Sequence, residues 1–350
     1  MFELEKIVRP RILKMKPYSS ARDEFSGEAS IYLDANENPF GAIPHNQPYN
    51  RYPHPLQPDL KAKISTVLGF SPETIFLGNG SDEAIDLLMR VFCEPNQDEI
   101  MIAPPTYGMY AVSAEINSIA VREVLLLPDF QLDVKSMLQQ IRPNTKIIFI
   151  CSPNNPTGNL LKIEDIETIL RSFAGIVVID EAYIDFSIAD SWAKRLDEFP
   201  NLVILRTFSK AWGMAALRIG MAIASPAIIR LFNKVKSPYN LNVLTQNYLW
   251  EALDHYEEFK ETTSKAIALK NSLSNALSQC PHVQKVYASH ANFILVKLVS
   301  NASMMYQRLL EKGIVVRDRS KQPLCENCLR ISVGTSEEVS EVVNAINRTQ

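Results

Sequence analysis

Ile176-Val177-Val178-Ile179-Asp180-Glu181-Ala182-Tyr183 opens with four apolar residues in a row and then turns acidic. An apolar run without polar alternation marks a strand covered on both faces, as in a parallel sheet. Similar runs stand on either side, at Lys146 to Ile150 and Leu202 to Leu205. Further strands are expected at Ile31 to Leu33, Ile75 to Leu77, Glu99 to Ile102, Val121 to Leu126 and Gly220 to Ala224. Helical patterns fall between many of them. Leu60, Ile64, Val67 and Leu68 share one helical face within Leu56 to Leu68, and Ser81 to Phe92 opens with Asp82 and Glu83 in its first turn. This alternation predicts an α/β fold, a mostly parallel sheet layered by helices. Beyond Pro238 the character changes. A polar-rich helix from Val243 to about Cys280 leads into short strands at Phe293 to Val296, Ile314 to Val316 and Leu329 to Ile331, a smaller α+β domain. The expected division is an N-terminal arm (1–45), a large domain (46–250) and a small C-terminal domain (251–350).

Composition narrows the classes. The chain has 350 residues, 46% hydrophobic and 21% charged, with a net charge of −3 and both signs interspersed. That balance belongs to a globular protein with no bulk attraction for nucleic acid or anionic membranes. The apolar runs are strand-sized and too short to span a bilayer. Met1 to Pro10 alternates charge with apolar residues, so no secretory signal is expected. Five cysteines, an odd number, stand at 93, 151, 280, 325 and 328, which points to reduced thiols in the cytoplasm. Cys325 and Cys328 form the lone C-x-x-C pair, with no second pair and no nearby histidine, so it reads as incidental and no metal is expected.

Four polar stretches follow strand ends, where ligands gather in open α/β sheets. Gly78-Asn79-Gly80-Ser81-Asp82-Glu83 opens a helix whose first N–H groups suit an anion, although such a turn is also a common capping device. Cys151-Ser152-Pro153-Asn154-Asn155-Pro156-Thr157-Gly158 holds two amides between prolines, or is simply a proline-rich turn. Asp180 ends an apolar run and wants a cation: a metal, an arginine or a protonated heterocycle. The five histidines form no cluster that would favour the metal. Lys210 lies in Thr207-Phe208-Ser209-Lys210-Ala211-Trp212-Gly213-Met214, after another strand. Most lysines are surface residues, but one in such surroundings has a depressed pKa and can attack a carbonyl carbon.

Taken together, Asn155, Asp180-x-x-Tyr183 and Ser209-Lys210 followed by Arg218 resemble the fold-type I, class-II aminotransferases. The resemblance spans nearly the whole chain, in the family's order. It implies a seven-stranded large domain like that of aspartate aminotransferase, and pyridoxal 5'-phosphate bound covalently to Lys210. Asp180 would pair with the ring nitrogen, and Asn155 and Tyr183 would bond the ring oxygen. Ser81, Asp82, Ser209 and Arg218 would hold the phosphate, and Tyr107 would stack on the ring. One departure is Ala216, where the family often has glycine; its methyl is expected only to tighten packing.

Leu33-Asp34-Ala35-Asn36-Glu37-Asn38-Pro39-Phe40-Gly41, Arg51-Tyr52-Pro53, Gly313 to Asp318 and Cys328 to Gly334 resemble the histidinol-phosphate aminotransferase subgroup. The implied reaction exchanges an amino group between histidinol phosphate and 2-oxoglutarate or glutamate. Arg330 would take the substrate anion with Arg317 beside it, since guanidinium accepts carboxylate and phosphate alike. The alternative for Arg317 is a surface residue beside Asp318 and Arg319. Asn36 and Tyr18 would contact substrate, Tyr18 by lining the imidazole pocket. Tyr52 would reach the cofactor phosphate of a partner subunit, because sites of this family form across a homodimer interface. An aromatic aminotransferase, a threonine-phosphate decarboxylase and a non-catalytic ligand-sensing module remain as alternatives.

Overall fold

The computed structural model describes residues 2–18, 31–44 and 49–348. The apolar runs become neighbours in one sheet. In chain order the strands are β1 (Ile75–Asn79), β2 (Glu99–Ile102), β3 (Ala120–Glu123), β4 (Thr145–Cys151), β5 (Ile176–Asp180), β6 (Leu202–Thr207) and β7 (Ile219–Ala224). They lie side by side as β1-β7-β6-β5-β4-β2-β3, all parallel except β7, which runs against β1 and β6. The seven-stranded, mostly parallel sheet is as expected.

Around it run α1 (Leu4–Ile7), α2 (Pro10–Lys14), α3 (Pro58–Leu68), α4 (Gly80–Phe92), α5 (Met109–Ile116), α6 (Val134–Gln140), α7 (Ile163–Ser172), α8 (Pro226–Val235) and α9 (Val243–Asp254). Alternate strand residues feed two cores. Ile148, Ile150, Val177 and Ile179 pack with Leu60 of α3, Ile166 of α7 and Leu249 of α9. Ile147, Phe149, Ile176 and Val178 pack with Leu88 of α4, Tyr110 of α5 and Phe232 of α8. A strand between two helical layers has no face left for water, which is why these runs lack alternation. Each such side chain contributes roughly 1.5–3 kcal/mol by its burial.

Strand register creates the site. Cys151 pairs with Asp180, Thr207 with Gly220 and Asn79 with Ile219. The carboxyl ends of β1, β4, β5 and β6 therefore share one edge with the amino end of β7.

The second sheet is antiparallel, in the order β10-β11-β9-β8, from β8 (Val283–Val286), β9 (Phe293–Leu298), β10 (Arg317–Asp318) and β11 (Cys328–Ser332). Helices α10 (Tyr256–Ser278), α11 (Ala302–Glu311) and α12 (Ser336–Asn347) cover one face, packing Leu273, Met305 and Val342 against Ile294, Val296, Leu329 and Ile331. On the other face, Leu295 and Cys328 enter a large-sheet core and Phe293 packs on Tyr183. Arg330 lies between Leu329 and Ile331, so pleating aims it from this second face, toward the large sheet.

Several expectations shift. The long helix is two, α9 and α10, parted at His255. Leu249 and Leu253 of α9 serve the large core while Leu273 and Leu277 of α10 serve the small one, so the break lets each half follow its own core. Ile314 to Val316 forms no strand; the ladder begins at Arg317. Ile31 to Leu33 is not a strand either, and β8 was not expected. The start of the arm lies on the large sheet's helices rather than on the small domain. Val8 and Ile12 join its second core, Arg9 Nε meets Glu94 Oε2 at 3.0 Å, and Lys234 Nζ donates to Leu13 O at 2.9 Å. Of the arm, residues 1, 19–30 and 45 lie outside the described residues.

Candidate active site

At one end of the strand edge, the backbone builds an anion cradle. α4 starts directly after β1, at Gly80, whose φ of +71° suits glycine. A Cβ on Gly80 would stand 2.6 Å from Arg218 Nη2, and one on Gly220 would stand 2.3 Å from Ser81 N. The two glycines let β7 and the first turn of α4 meet at backbone distance, with Gly80 N–H donating to Arg218 O at 2.8 Å. First-turn N–H groups have no helical partner and carry partial positive charge. Arg218 lies beside them, its Nη1 donating to Ser209 Oγ at 3.4 Å and to Ala215 O at 3.2 Å, its Nη2 to Asp82 Oδ2 at 3.4 Å. These are long bonds, readily exchanged for a stronger acceptor.

Asp180 closes the floor. It ends β5 on the face of Ile176 and Val178, 3% exposed, and accepts from Tyr110 Oη at 2.6 Å and from Ala182 N–H at 3.0 Å. Tyr110 is fully buried and stacks on Phe149 with centroids 4.6 Å apart. Burial pushes the Asp180 carboxyl above the usual range, and the two hydrogen bonds oppose that push. Such a carboxylate is relieved by a cation facing it.

Lys210 follows β6 on a loop anchored by buried Phe208 and by Ser209 N–H on Thr207 Oγ1 at 3.1 Å. The residue is exposed yet lines the cavity, and its Nζ lies 5.8 Å from the Tyr183 ring centroid. Burial of the amine end, then the guanidiniums of Arg330 and Arg218, lower its pKa, while Asp180 and Asp82 oppose the shift. A lowered pKa leaves more neutral, nucleophilic amine near neutral pH. Tyr183 is buried edge-to-face on Phe293, and burial raises its pKa, so it remains a protonated donor. Asn155 Oδ1 accepts from Arg330 Nη1 at 2.6 Å. Its neighbour Asn154 instead ties the loop together, its Nδ2 donating to Pro105 O and Thr157 Oγ1. Tyr107 Oη donates to Asp82 Oδ1 at 3.2 Å.

One cavity thus brings together Ser81, Asp82, Tyr107, Asn155, Asp180, Tyr183, Ser209, Lys210 and Arg218, with Arg330 reaching it through Asn155. Asn36 and Tyr52 are not among them. They line a second cavity of about 610 Å³, where Tyr52 stacks on Tyr239 at 4.4 Å. Glu37 fixes that corner by accepting from Arg51 Nη1 and Tyr52 N–H, each at 2.7 Å. Tyr18 is 68% exposed and lines neither cavity. Arg317 is exposed and pairs across the ladder with Arg330, whose face it shares. Ala216 is exposed in a tight turn, so its methyl does not tighten a packed interior. Sequence reading missed Tyr110, which holds Asp180 from behind, and Thr207, which lines the cavity. Tyr110 follows Tyr107 by three residues, a spacing that could have flagged it.

These groups fit pyridoxal 5'-phosphate. A Cβ at Gly220 would press on the backbone of the cradle and one at Gly80 on the tip of Arg218, and among the described residues no cationic side chain is hydrogen-bonded to the buried carboxylate. The amine and the aromatic wall complete the set.

Residues 30–346 match the family Aminotransferase class I and II. A histidinol-phosphate aminotransferase of Parabacteroides distasonis is 50% identical over 346 residues, 99% of each chain. That of Christiangramia forsetii is 49% identical over 351 residues, 100% of this chain and 99% of the other. The structure of histidinol-phosphate aminotransferase from Sinorhizobium meliloti in complex with pyridoxal-5'-phosphate shares the fold, with a TM-score of 0.78 and 24% identity over 89% of this chain and 88% of that one. The chain belongs to the class I and II aminotransferase family, among its histidinol-phosphate aminotransferases.

Proposed function

We propose that the protein transfers an amino group between L-histidinol phosphate and 2-oxoglutarate in histidine biosynthesis, giving imidazole acetol phosphate and glutamate. The observation that carries the chemistry is Lys210 in one cavity with buried Asp180, with Arg330 hydrogen-bonded to Asn155 beside them. Relatives that share about half of its residues and carry the name of that reaction support the substrate.

When bound, pyridoxal phosphate supplies an electron sink for the pair left on the substrate's Cα. Ser209, Arg218 and the N–H groups of Ser81 and Asp82 would hold its phosphate. Asp180 would keep a proton on the ring nitrogen, Asn155 and Tyr183 would donate to the ring oxygen, and Tyr107 would cover the ring face. Lys210 would be the covalent anchor at rest. Once freed, its neutral Nζ would take the substrate's Cα proton and carry it between substrate and cofactor. Arg330, with Arg317 on the same face, receives the substrate anion. Tautomeric exchange in two half-reactions gives ping-pong kinetics.

The same reading makes the protein a homodimer. Leu33, Phe40 and Ile43 are 89%, 82% and 94% exposed in the segment whose Ala35, Asn36 and Glu37 line the second cavity. Exposed apolar groups in such a cluster mark a protein surface to be covered. Tyr52 would then serve the partner's cofactor phosphate, with Asn36 and Tyr18 on the substrate. The core allegiance of α9 and α10 supports a large domain to about residue 250 and a small one beyond. No helix among the described residues is long and apolar enough to cross a membrane, and the five buried free thiols suit a reducing cytoplasm.

The test is a single-turnover titration of the cofactor-loaded protein, followed by its visible absorbance. Histidinol phosphate should convert the spectrum, and 2-oxoglutarate should restore it with release of glutamate. Conversion by tyrosine or phenylalanine alone would make it an aromatic aminotransferase. Carbon dioxide release from threonine phosphate would make it a decarboxylase, and tight binding without turnover a ligand-sensing module.

A further inference from the structure

Arg319 has no part in the site so far. It lies just beyond β10, and its N–H donates to Cys328 O at 2.9 Å, which continues the ladder. Two residues on from Arg317, it emerges on the face that Arg317 and Arg330 already share. Three guanidiniums thus crowd one face, beside Tyr183 and Asn155. Among the described residues none of the three has a carboxylate partner. Arg330 donates to neutral Asn155, and the Nε atoms of Arg319 and Arg330 are buried without any acceptor. Asp318 is occupied elsewhere, accepting from Ser303 Oγ at 2.5 Å and Ser320 N–H at 2.8 Å. The crowding shows in Arg319, whose pKa is lowered to about 10 by burial, then by Arg330 and Arg317. Guanidiniums desolvated without a counter-ion are held at a cost that an incoming anion removes.

We propose that Arg319 is a specificity-determining residue, a third guanidinium that favours a doubly charged phosphate monoester over a singly charged carboxylate. The inference rests on the proposed function and deepens it. Arg330 alone can satisfy a carboxylate through a bidentate pair. A phosphate monoester dianion brings three acceptor oxygens and nearly twice the charge, so it gains from each further cation. Arg319 thereby separates two substrates that must share one pocket.

The experiment compares Arg319→Gln and Arg319→Lys with the parent, all loaded with cofactor. Half-reaction rate constants are measured with histidinol phosphate and with glutamate, and binding of inorganic phosphate and of acetate is measured by calorimetry. Arg319→Gln should lower the rate constant for histidinol phosphate about tenfold or more and that for glutamate less than about twofold. Phosphate binding should weaken alongside, and Arg319→Lys should recover most of both. A merely structural role would depress both substrates together, and that result, or an unchanged preference for phosphate, overturns the inference. Failure of the parent to react with histidinol phosphate would instead overturn the proposed function, and the phosphate-to-acetate ratio would still decide for or against Arg319.

Discussion

Tyr110 donates its hydroxyl proton to Asp180 Oδ2 across 2.6 Å, reaching the carboxylate from the core behind the cavity rather than from within it. The ring is locked by its stack on Phe149 and its edge contact with Tyr107, so the donor is fixed before any ligand arrives. One carboxylate oxygen is thereby committed to the core and the other, held by Ala182 N–H, retains lone-pair capacity for the cofactor.

Tyr110→Phe should therefore keep the fold and weaken the cofactor. With the hydroxyl gone, burial raises the Asp180 pKa further, and the carboxylate holds a ring proton less well. A hydrogen bond to a charged group is worth ~1.5–3 kcal/mol, so the cofactor dissociation constant should rise about tenfold or more. Equilibrium dialysis reads it directly. Asp180→Asn should go further and lower kcat on the order of 10²–10³-fold, as loss of a directed electrostatic group does.

Gly220→Ala should be costly where Gly213→Ala is mild. A methyl on Gly220 would press 2.3 Å from Ser81 N and 2.6 Å from Gly80 C, both backbone atoms that cannot turn aside. Overpacking of this kind costs about 1–3 kcal/mol and should also spoil the anion cradle. A methyl on Gly213 meets nothing within 4 Å, so it carries only the roughly 1–2 kcal/mol strain of its positive φ. Melting temperature and phosphate-dependent cofactor affinity would separate the two; equal losses would contradict the close approach at β7.

Stability of the cofactor-free protein should fall as pH rises from 5 to 7.5. Glu181 is buried, accepting from Ser191 Oγ at 2.5 Å and Trp192 N–H at 2.6 Å, and burial pushes its carboxyl up to about 7. Its folded pKa lies above its unfolded one, so its stabilisation is complete below about 4.5 and lost as pH rises through 7. The swing is at most ~3 kcal/mol. Glu181→Gln should flatten the slope in that window, as measured by urea denaturation, whatever it does to absolute stability. An unchanged slope would show that Glu181 does not titrate there.

The large sheet was legible because β4, β5 and β6 have no water-facing side: residues such as Ile147 and Ile148 serve opposite cores, leaving unbroken apolar runs. The small sheet was less so. β8 is short and carries exposed Gln284 and Lys285, while Ile314 and Val315 are apolar yet unpaired. Only tertiary contacts divide the helical stretch at His255, where α9 and α10 turn to different cores. The residues of the Lys210 cavity could be read because each follows a strand end. Tyr110 could not, because its role depends on pleat parity at Asp180 and on a helix packed behind it. Tyr18, Tyr52 and Asn36 lie outside the Lys210 cavity of the single chain, and no strand end places them there.

The central claim is that Lys210 anchors the cofactor, and reductive trapping tests it most directly. Protein loaded with pyridoxal phosphate is treated with borohydride, digested and mapped by mass spectrometry. The account predicts a phosphopyridoxyl group on the peptide containing Lys210, and none on Lys210→Ala treated alike. A label on another lysine, such as the buried Lys61, or one that persists in Lys210→Ala, would contradict it.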